Sequence, residues 1–325
     1  MMKSVEELQQ IITKKVDGFC AKNGTGEIYQ PINYILQLGG KRLRPVFTLM
    51  AANLFGDEIE DAVYPALAIE IFHNFTLMHD DIMDKAPTRR GAITVHEKWN
   101  TNVAILSGDA MMIQSYQLLM KTNPAKLPEI MRVFNQTALH VCEGQQQDMN
   151  FESRERVTFE EYEEMIRLKT SVLLAGAMQI GAIINGADDV AQQQLYDFAI
   201  NLGLSFQLMD DYLDSFGDET KTGKQIGGDI LSDKKTFLLI RAFETASPVE
   251  RKTLEHYIGA AQSNPREKVE AVLAVYKTLH VEDDVRERAY QFHVRAMKLL
   301  DALNVDDHRK LHIRNLAEMI SLRTH

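Results

Sequence analysis

The sequence predicts an all-α protein, and three observations carry that reading. Apolar residues recur at three- and four-residue spacing almost throughout the 325 residues, the period of an amphipathic helix. Ala, Leu, Met, Glu, Gln and Lys, all helix formers, dominate the composition. No segment shows the strict alternation of a half-buried strand.

Helices are expected at about 4–17, 28–38, 44–55, 61–84, 96–120, 127–149, 157–184, 189–216, 234–245, 249–262, 266–279, 282–303 and 307–321. The prolines agree. Pro31, Pro45, Pro65, Pro128, Pro248 and Pro265 sit near helix starts, where a missing N–H costs little, and Pro87 and Pro124 sit in breaks. No Pro/Gly/Ser-rich linker divides the chain, so residues 1–325 are read as one domain, a single large bundle of long helices. The helices at 61–84 and 189–216 are apolar over much of their surface and belong in its middle.

With 45% hydrophobic and 25% charged residues, the composition is that of a globular chain able to build a large core. The net charge is −10 and no Lys/Arg stripe dominates a face, which excludes a nucleic-acid binder. Cys20 and Cys142 form neither a disulfide framework nor a metal-ligand spacing, so a reducing, cytoplasmic setting is expected. The opening Met-Met-Lys-Ser-Val-Glu-Glu-Leu starts a helix with no apolar signal core. No stretch of about 18 uninterrupted apolar residues exists, so no membrane span is expected.

Two helices end on the same acidic pattern. Asp80-Asp81-Ile82-Met83-Asp84 closes one, and Asp210-Asp211-Tyr212-Leu213-Asp214 closes the other. Residues four apart share a helix face, so Asp80 pairs with Asp84 and Asp210 with Asp214. Two carboxylates about 4 Å apart repel by roughly 4 kcal/mol at an effective dielectric near 20. Acids at a helix C-terminus also oppose the macrodipole. A pattern that does this twice after apolar runs calls for a cation, and oxygen-only ligands suit Mg2+, Mn2+ or Ca2+. Neither cluster has the loop pattern of an EF-hand.

Basic and polar groups flank these clusters. In Gly39-Gly40-Lys41-Arg42-Leu43-Arg44-Pro45, the glycines admit a ligand close to the backbone, and Lys41 and Arg44 offer a point charge and a bidentate fork for phosphate oxygens. Arg89-Arg90-Gly91 follows the first cluster by five residues, which places a polyanion beside the expected metal. Lys169-Thr170 opens an apolar run, Gln207 shares a face with Asp210, and a Gly-rich loop from Gly217 to Asp229 carries Lys221 and Lys224. His73 lies two turns before Asp80 on the same face.

In this order, together with Gly108-Asp109-Ala110, Gly144-Gln145 with Asp148, and Gly227-Gly228-Asp229, these motifs resemble the trans-isoprenyl diphosphate synthase family over about residues 30–240. The resemblance is to the short-chain, farnesyl or geranylgeranyl diphosphate type. It implies the isoprenoid synthase fold around a deep apolar cavity, usually as a homodimer. It implies three Mg2+ ions, with Asp80 and Asp84 as ligands of two, Asp210 of the third with support from Asp214, and Asp81 within the first motif. Arg89, Lys169 and Lys224 are then expected at an allylic diphosphate (dimethylallyl, geranyl or farnesyl), and Lys41, Arg44, His73 and Arg90 at isopentenyl diphosphate. Gln207 and the backbone oxygens near Lys169-Thr170 are expected beside the allylic cation.

Product length is expected to depend on Phe75, five residues before Asp80, with Phe72 and Thr76 beside it. An aromatic at that position implies a short product, and the absence of an insertion in the first acidic motif favours twenty carbons over fifteen. Two other functions share parts of the pattern. A terpene cyclase needs no second diphosphate site, against which Lys41, Arg44 and Arg90 stand. A non-catalytic prenyl-diphosphate-binding subunit of a heteromeric synthase is expected to lack one acidic cluster or the Lys41–Arg44 loop, and both are intact.

Overall fold

The structure, a computed structural model, describes residues 2–217, 226–259 and 264–321. The protein is all-α, as the sequence predicts. Its helices are α1 (Val5–Asn23), α2 (Tyr29–Gln37), α3 (Leu43–Phe55), α4 (Glu60–Met83), α5 (Val95–Lys98), α6 (Thr101–Leu119), α7 (Leu127–Glu152) and α8 (Phe159–Ile166). After a π-helical stretch, Arg167–Ser171, come α9 (Val172–Ile184), α10 (Asp189–Phe216), α11 (Gly228–Leu231), α12 (Phe237–Thr245), α13 (Pro248–Tyr257), α14 (Pro265–Thr278), α15 (Val281–Ala302) and α16 (Asp307–Ser321). Two short strands, β1 (Thr88–Arg89) and β2 (Ala92–Ile93), pair antiparallel.

Several helix starts follow from side-chain caps. Ser4 with Glu7, Thr158 with Glu161, and Ser247 with Glu250 form capping boxes. Asn264 caps α14 ahead of Pro265. Three of the departures from the spacing-based reading have a local cause. The first helix does not stop at Gly18 but runs to Asn23, because Leu8, Ile12, Val16 and Cys20 continue one buried stripe. That burial outweighs the roughly 1 kcal/mol an internal glycine costs. The helix expected at 96–120 breaks after Lys98, where Asn100 accepts the backbone N–H of Val103 and starts α6 afresh. The β1–β2 hairpin had no strand signal, since each strand is only two residues long.

The chain divides into two compact units. The first comprises Met1–Ala138, Leu173–Asp197 and Leu300–Ile313. Its centre is apolar: every residue of α3 from Pro45 to Leu54 is buried, as is most of α4 from Ala62 to Phe75. At roughly 1.5–3 kcal/mol for each large side chain removed from water, this packing fixes α4 and with it the acidic cluster at its end.

The second unit comprises Leu139–Val172, Phe198–Leu299 and Arg314–His325. Its core joins Phe151, Tyr162, Leu208, Met209, Phe237, Leu239, Tyr276 and Phe292. The helical run Phe159–Ile184 is long and apolar enough to cross a membrane, but 78% of that window is buried inside the fold. It is a core helix, and no other described helix is long and apolar enough to span.

Candidate functional site

In the first unit, α4 ends on Asp80, Asp81 and Asp84. The three carboxylates are not equivalent. Asp81 is 2% exposed and takes the Arg89 Nε–H at 2.7 Å, while Arg89 Nη2 reaches Asp80 at 3.3 Å. Burial raises the Asp81 carboxyl despite its guanidinium partner. Asp80 and Asp84 lie one turn apart, with Asp84 capping the helix through its N–H to the Asp80 carbonyl at 2.8 Å. The β1–β2 hairpin is what brings Arg89 back onto this helix end.

The loop Gly39–Arg42 and the hairpin turn meet beside α4. Arg42 and Arg90 both have positive φ, at 47° and 53°, a costly conformation for residues with side chains. Arg90 donates to the Gly39 carbonyl. Gly40 has a φ of 133°, where a side chain is strained, and a Cβ there would lie 2.9 Å from the Arg90 guanidinium carbon. Arg44 Nη1 lies 3.1 Å from His73 Nε2. Burial, then the nearby Arg44, Arg90 and Arg89, hold His73 well below its usual range, so it is neutral at pH 7. Burial draws Arg44 down to about 10, which leaves it charged. The Lys41 carbonyl accepts from Gln9 at 3.1 Å, and its side chain lies in the same loop.

Phe75 and Phe72 lie on α4 behind the acids. Their ring centroids are 5.4 Å apart, and Phe134 packs edge-on against Phe72 at 5.2 Å. Phe72 is 1% exposed and Phe75 9%, so of the two rings Phe75 keeps the more accessible surface, with His79 edge-on at 4.8 Å. Thr76 donates to the His73 carbonyl at 2.8 Å.

In the second unit, the π-helical stretch carries Lys169 and Thr170. One extra residue per turn re-aims side chains, and such turns recur at functional sites. A Cβ on Gly144 would collide with the Lys169 backbone, so α7 approaches the stretch at its glycine. Lys169 Nζ pairs with Asp148 at 2.6 Å, and Thr170 Oγ1 donates to Gln207 Oε1 at 3.2 Å. Gln207 in turn donates through Nε2 to Asp211 at 3.0 Å. The buried Tyr162 hydroxyl donates to the other oxygen of Asp211. Burial, with Asp229 nearby, pushes the Asp211 carboxyl up to about 8.

Asp214 accepts the Asp229 N–H at 2.9 Å, which ties the second acidic cluster to Gly227-Gly228-Asp229. Lys234 Nζ stands 4.0 Å from Asp229. Lys221 and Lys224 lie outside the described residues.

Each motif thus turns its middle carboxylate inward, onto Arg89 in one case and onto Tyr162 and Gln207 in the other. The outer pairs, Asp80 with Asp84 and Asp210 with Asp214, each share a helix face, and Asp80 also meets Arg89 while Asp214 also accepts the Asp229 N–H. Among the described residues, no group of three or more His, Cys, Asp or Glu side chains is placed to hold an ion alone. Two carboxylates per motif nevertheless fit Mg2+, which takes one or two and completes its shell with water and phosphate oxygens. Sequence reasoning placed Asp148 in a motif without its Lys169 partner, and it missed Tyr162 and the buried pair Glu70 and Asn74. All act on partners far along the chain or sit within an apolar helix, where no local pattern marks them.

The helices, the paired acids and the basic loops define an all-α protein that sets carboxylate pairs beside cationic side chains. The polyprenyl synthetase family matches residues 25–276. A geranylgeranyl pyrophosphate synthase of Geoglobus acetivorans is 33% identical over 99% of this chain and 98% of its own length. A crystal structure of a geranylgeranyl pyrophosphate synthase superposes with a TM-score of 0.93 at 40% identity, covering 100% of both chains. A polyprenyl synthase of Caulobacter crescentus, solved with calcium and isoprenyl diphosphate, superposes at 0.88 with 26% identity, covering 100% of both. The chain belongs to the polyprenyl synthetase family and is a trans-prenyltransferase.

Proposed function

We propose that this chain condenses isopentenyl diphosphate with an allylic diphosphate, head to tail, in a Mg2+-dependent reaction that yields an all-trans product of twenty carbons. The observation that carries this reading is the duplicated acidic motif with its middle carboxylate sequestered, alongside two chemically distinct basic clusters.

Asp80, Asp84, Asp210 and Asp214 are the residues that would hold Mg2+, three ions by resemblance. The ions supply charge neutralisation for a departing diphosphate. By resemblance, Lys169 and Arg89 are both assigned to the allylic diphosphate; within its own unit each is oriented by a carboxylate, Lys169 by Asp148 and Arg89 by Asp80 and Asp81. Lys224 is assigned the same role by resemblance. Lys41, Arg44, His73 and Arg90 bind isopentenyl diphosphate. The Gln207 amide and Thr170 hydroxyl, fixed on each other, present dipoles to the allylic cation. By resemblance, Phe75, backed by Phe72, stops chain growth.

Leu106, Ile113 and Met120, seven residues apart and 59%, 55% and 69% exposed, form an apolar stripe along α6 and just beyond it. It supports a second copy of this chain as partner. Cys20 is buried with its thiol pushed up to about 11, and Cys142 is exposed and unbridged, which supports a reducing, cytoplasmic setting. Release of diphosphate tests the reading. It is expected only when both substrates and Mg2+ are present. Release from the allylic substrate alone would instead identify a cyclase or phosphatase.

A further inference from the structure

A carboxylate lies buried beneath the arginine cluster of the first unit. Glu70 is 4% exposed, on the face of α4 that carries His73 one turn later. Asn74, 1% exposed, donates its Nδ2 to Glu70 Oε1 at 3.1 Å and to the Glu70 carbonyl at 2.8 Å. Glu70 Oε2 has no hydrogen-bond partner, and neither do the buried Arg42 Nη1 and Arg44 Nε. Leaving so many charged atoms unsatisfied is costly unless the group is shared among several opposite charges. Burial raises the Glu70 carboxyl, while the Asn74 hydrogen bond and then Arg42, Arg90 and Arg44 pull it down; none of the three forms a direct ion pair with it, and Arg44 stands on His73, one turn along the same face.

We propose that Glu70 is a positioning residue, a built-in counter-ion that, clamped by Asn74, holds Arg42, Arg44 and Arg90 converged on the isopentenyl diphosphate subsite before substrate arrives. Three guanidiniums brought together from the Gly39–Arg44 loop and the hairpin turn repel one another. Nothing on their own elements offsets this, since Arg90 leans on the neutral Gly39 carbonyl and Arg44 on the neutral His73. Glu70 supplies the missing charge from below. The diphosphate is then met by arginines already placed, and less of its binding energy is spent on ordering them. Glu70 need not touch the substrate. The inference rests on the assignment of Arg44, His73 and Arg90 to isopentenyl diphosphate.

Steady-state kinetics with each substrate varied in turn test it, for the wild type, Glu70→Gln and Asn74→Ala. Glu70→Gln keeps the shape and removes the charge. It is expected to raise KM for isopentenyl diphosphate roughly tenfold while KM for the allylic substrate stays within about twofold. Asn74→Ala loosens the clamp and is expected to raise the same KM by about threefold. A loss of structure alone moves both constants or lowers the active fraction, not one KM. If both constants move together, or neither moves, Glu70 has no positioning role. Should Glu70→Gln fail to fold, Asn74→Ala decides by the same criterion. No turnover by the wild type itself overturns the assignment of the site, and that control separates the two failures.

Discussion

The Tyr162 hydroxyl donates to the carboxylate of Asp211, and both groups are buried. Asp211 is the middle acid of the second motif, as Asp81, held by Arg89, is of the first. A carboxylate pushed up by burial stays in place only if a donor meets it. The two motifs solve this differently, with a cation in one and a phenol plus an amide in the other.

Tyr162→Phe removes that phenol. One oxygen of Asp211 is left buried without its donor, at a cost of about 1–3 kcal/mol of stability. Gln207, which also holds Asp211 and Thr170, loses its fixed partner. The melting temperature is expected to fall, and the Mg2+ concentration for half-maximal rate to rise, both read by thermal melts and a metal titration. An unchanged Mg2+ requirement would detach Tyr162 from the metal site.

Asp80→Ala and Asp210→Ala each remove an outward carboxylate. Turnover is expected to fall by at least about a thousandfold, with helical circular dichroism retained, because charge stabilisation of the leaving group is lost while the core is untouched. Asp81→Asn should act differently. It leaves Arg89 without its 2.7 Å ion pair, so KM for the allylic diphosphate is expected to change along with kcat. A variant at Asp80 with near-full activity would contradict the metal assignment.

Phe75 keeps some accessible surface while Phe72 is packed against Phe134. Phe75→Ala is therefore expected to lengthen the product by at least one five-carbon unit. Phe72→Ala is expected mainly to destabilise, by about 3–5 kcal/mol, because it opens a cavity. Mass spectrometry of the products and urea melts separate the two outcomes.

His73 is neutral in the native state because burial and three arginines lower its pKa. In the unfolded chain it titrates near 6.5. Between the lowered native value and 6.5, the unfolded state binds the extra proton, so stability is full above about pH 6.5 and declines as pH falls below it. At pH 5.5 the loss is about 1.4 kcal/mol. His73→Gln is expected to lose that part of the slope, measured as the difference between urea unfolding free energies at pH 7.5 and 5.5. An identical slope in the variant would place the acid sensitivity elsewhere.

Spacing made the helices legible. The i, i+4 stripes of α1 and the capping residues of α8, α13 and α14 are local signals. The paired acids were legible too, because four-residue spacing maps directly onto a helix face. The π-helical stretch was not, since nothing in Arg167-Leu168-Lys169-Thr170-Ser171 differs in period from its neighbours. The hairpin hid because a two-residue ladder has no alternation to read. Glu70 and Tyr162 were silent for a third reason. Each lies inside an apolar helical pattern, and its meaning comes from partners that only folding brings close, such as Asp211, 49 residues from Tyr162.

The most direct test is product analysis by mass spectrometry, with purified protein, Mg2+, isopentenyl diphosphate and, in separate tubes, the five-, ten- and fifteen-carbon allylic diphosphates. A twenty-carbon diphosphate, absent when EDTA is added, is the expected result. Folded protein that elongates none of the three primers would contradict the proposed reaction.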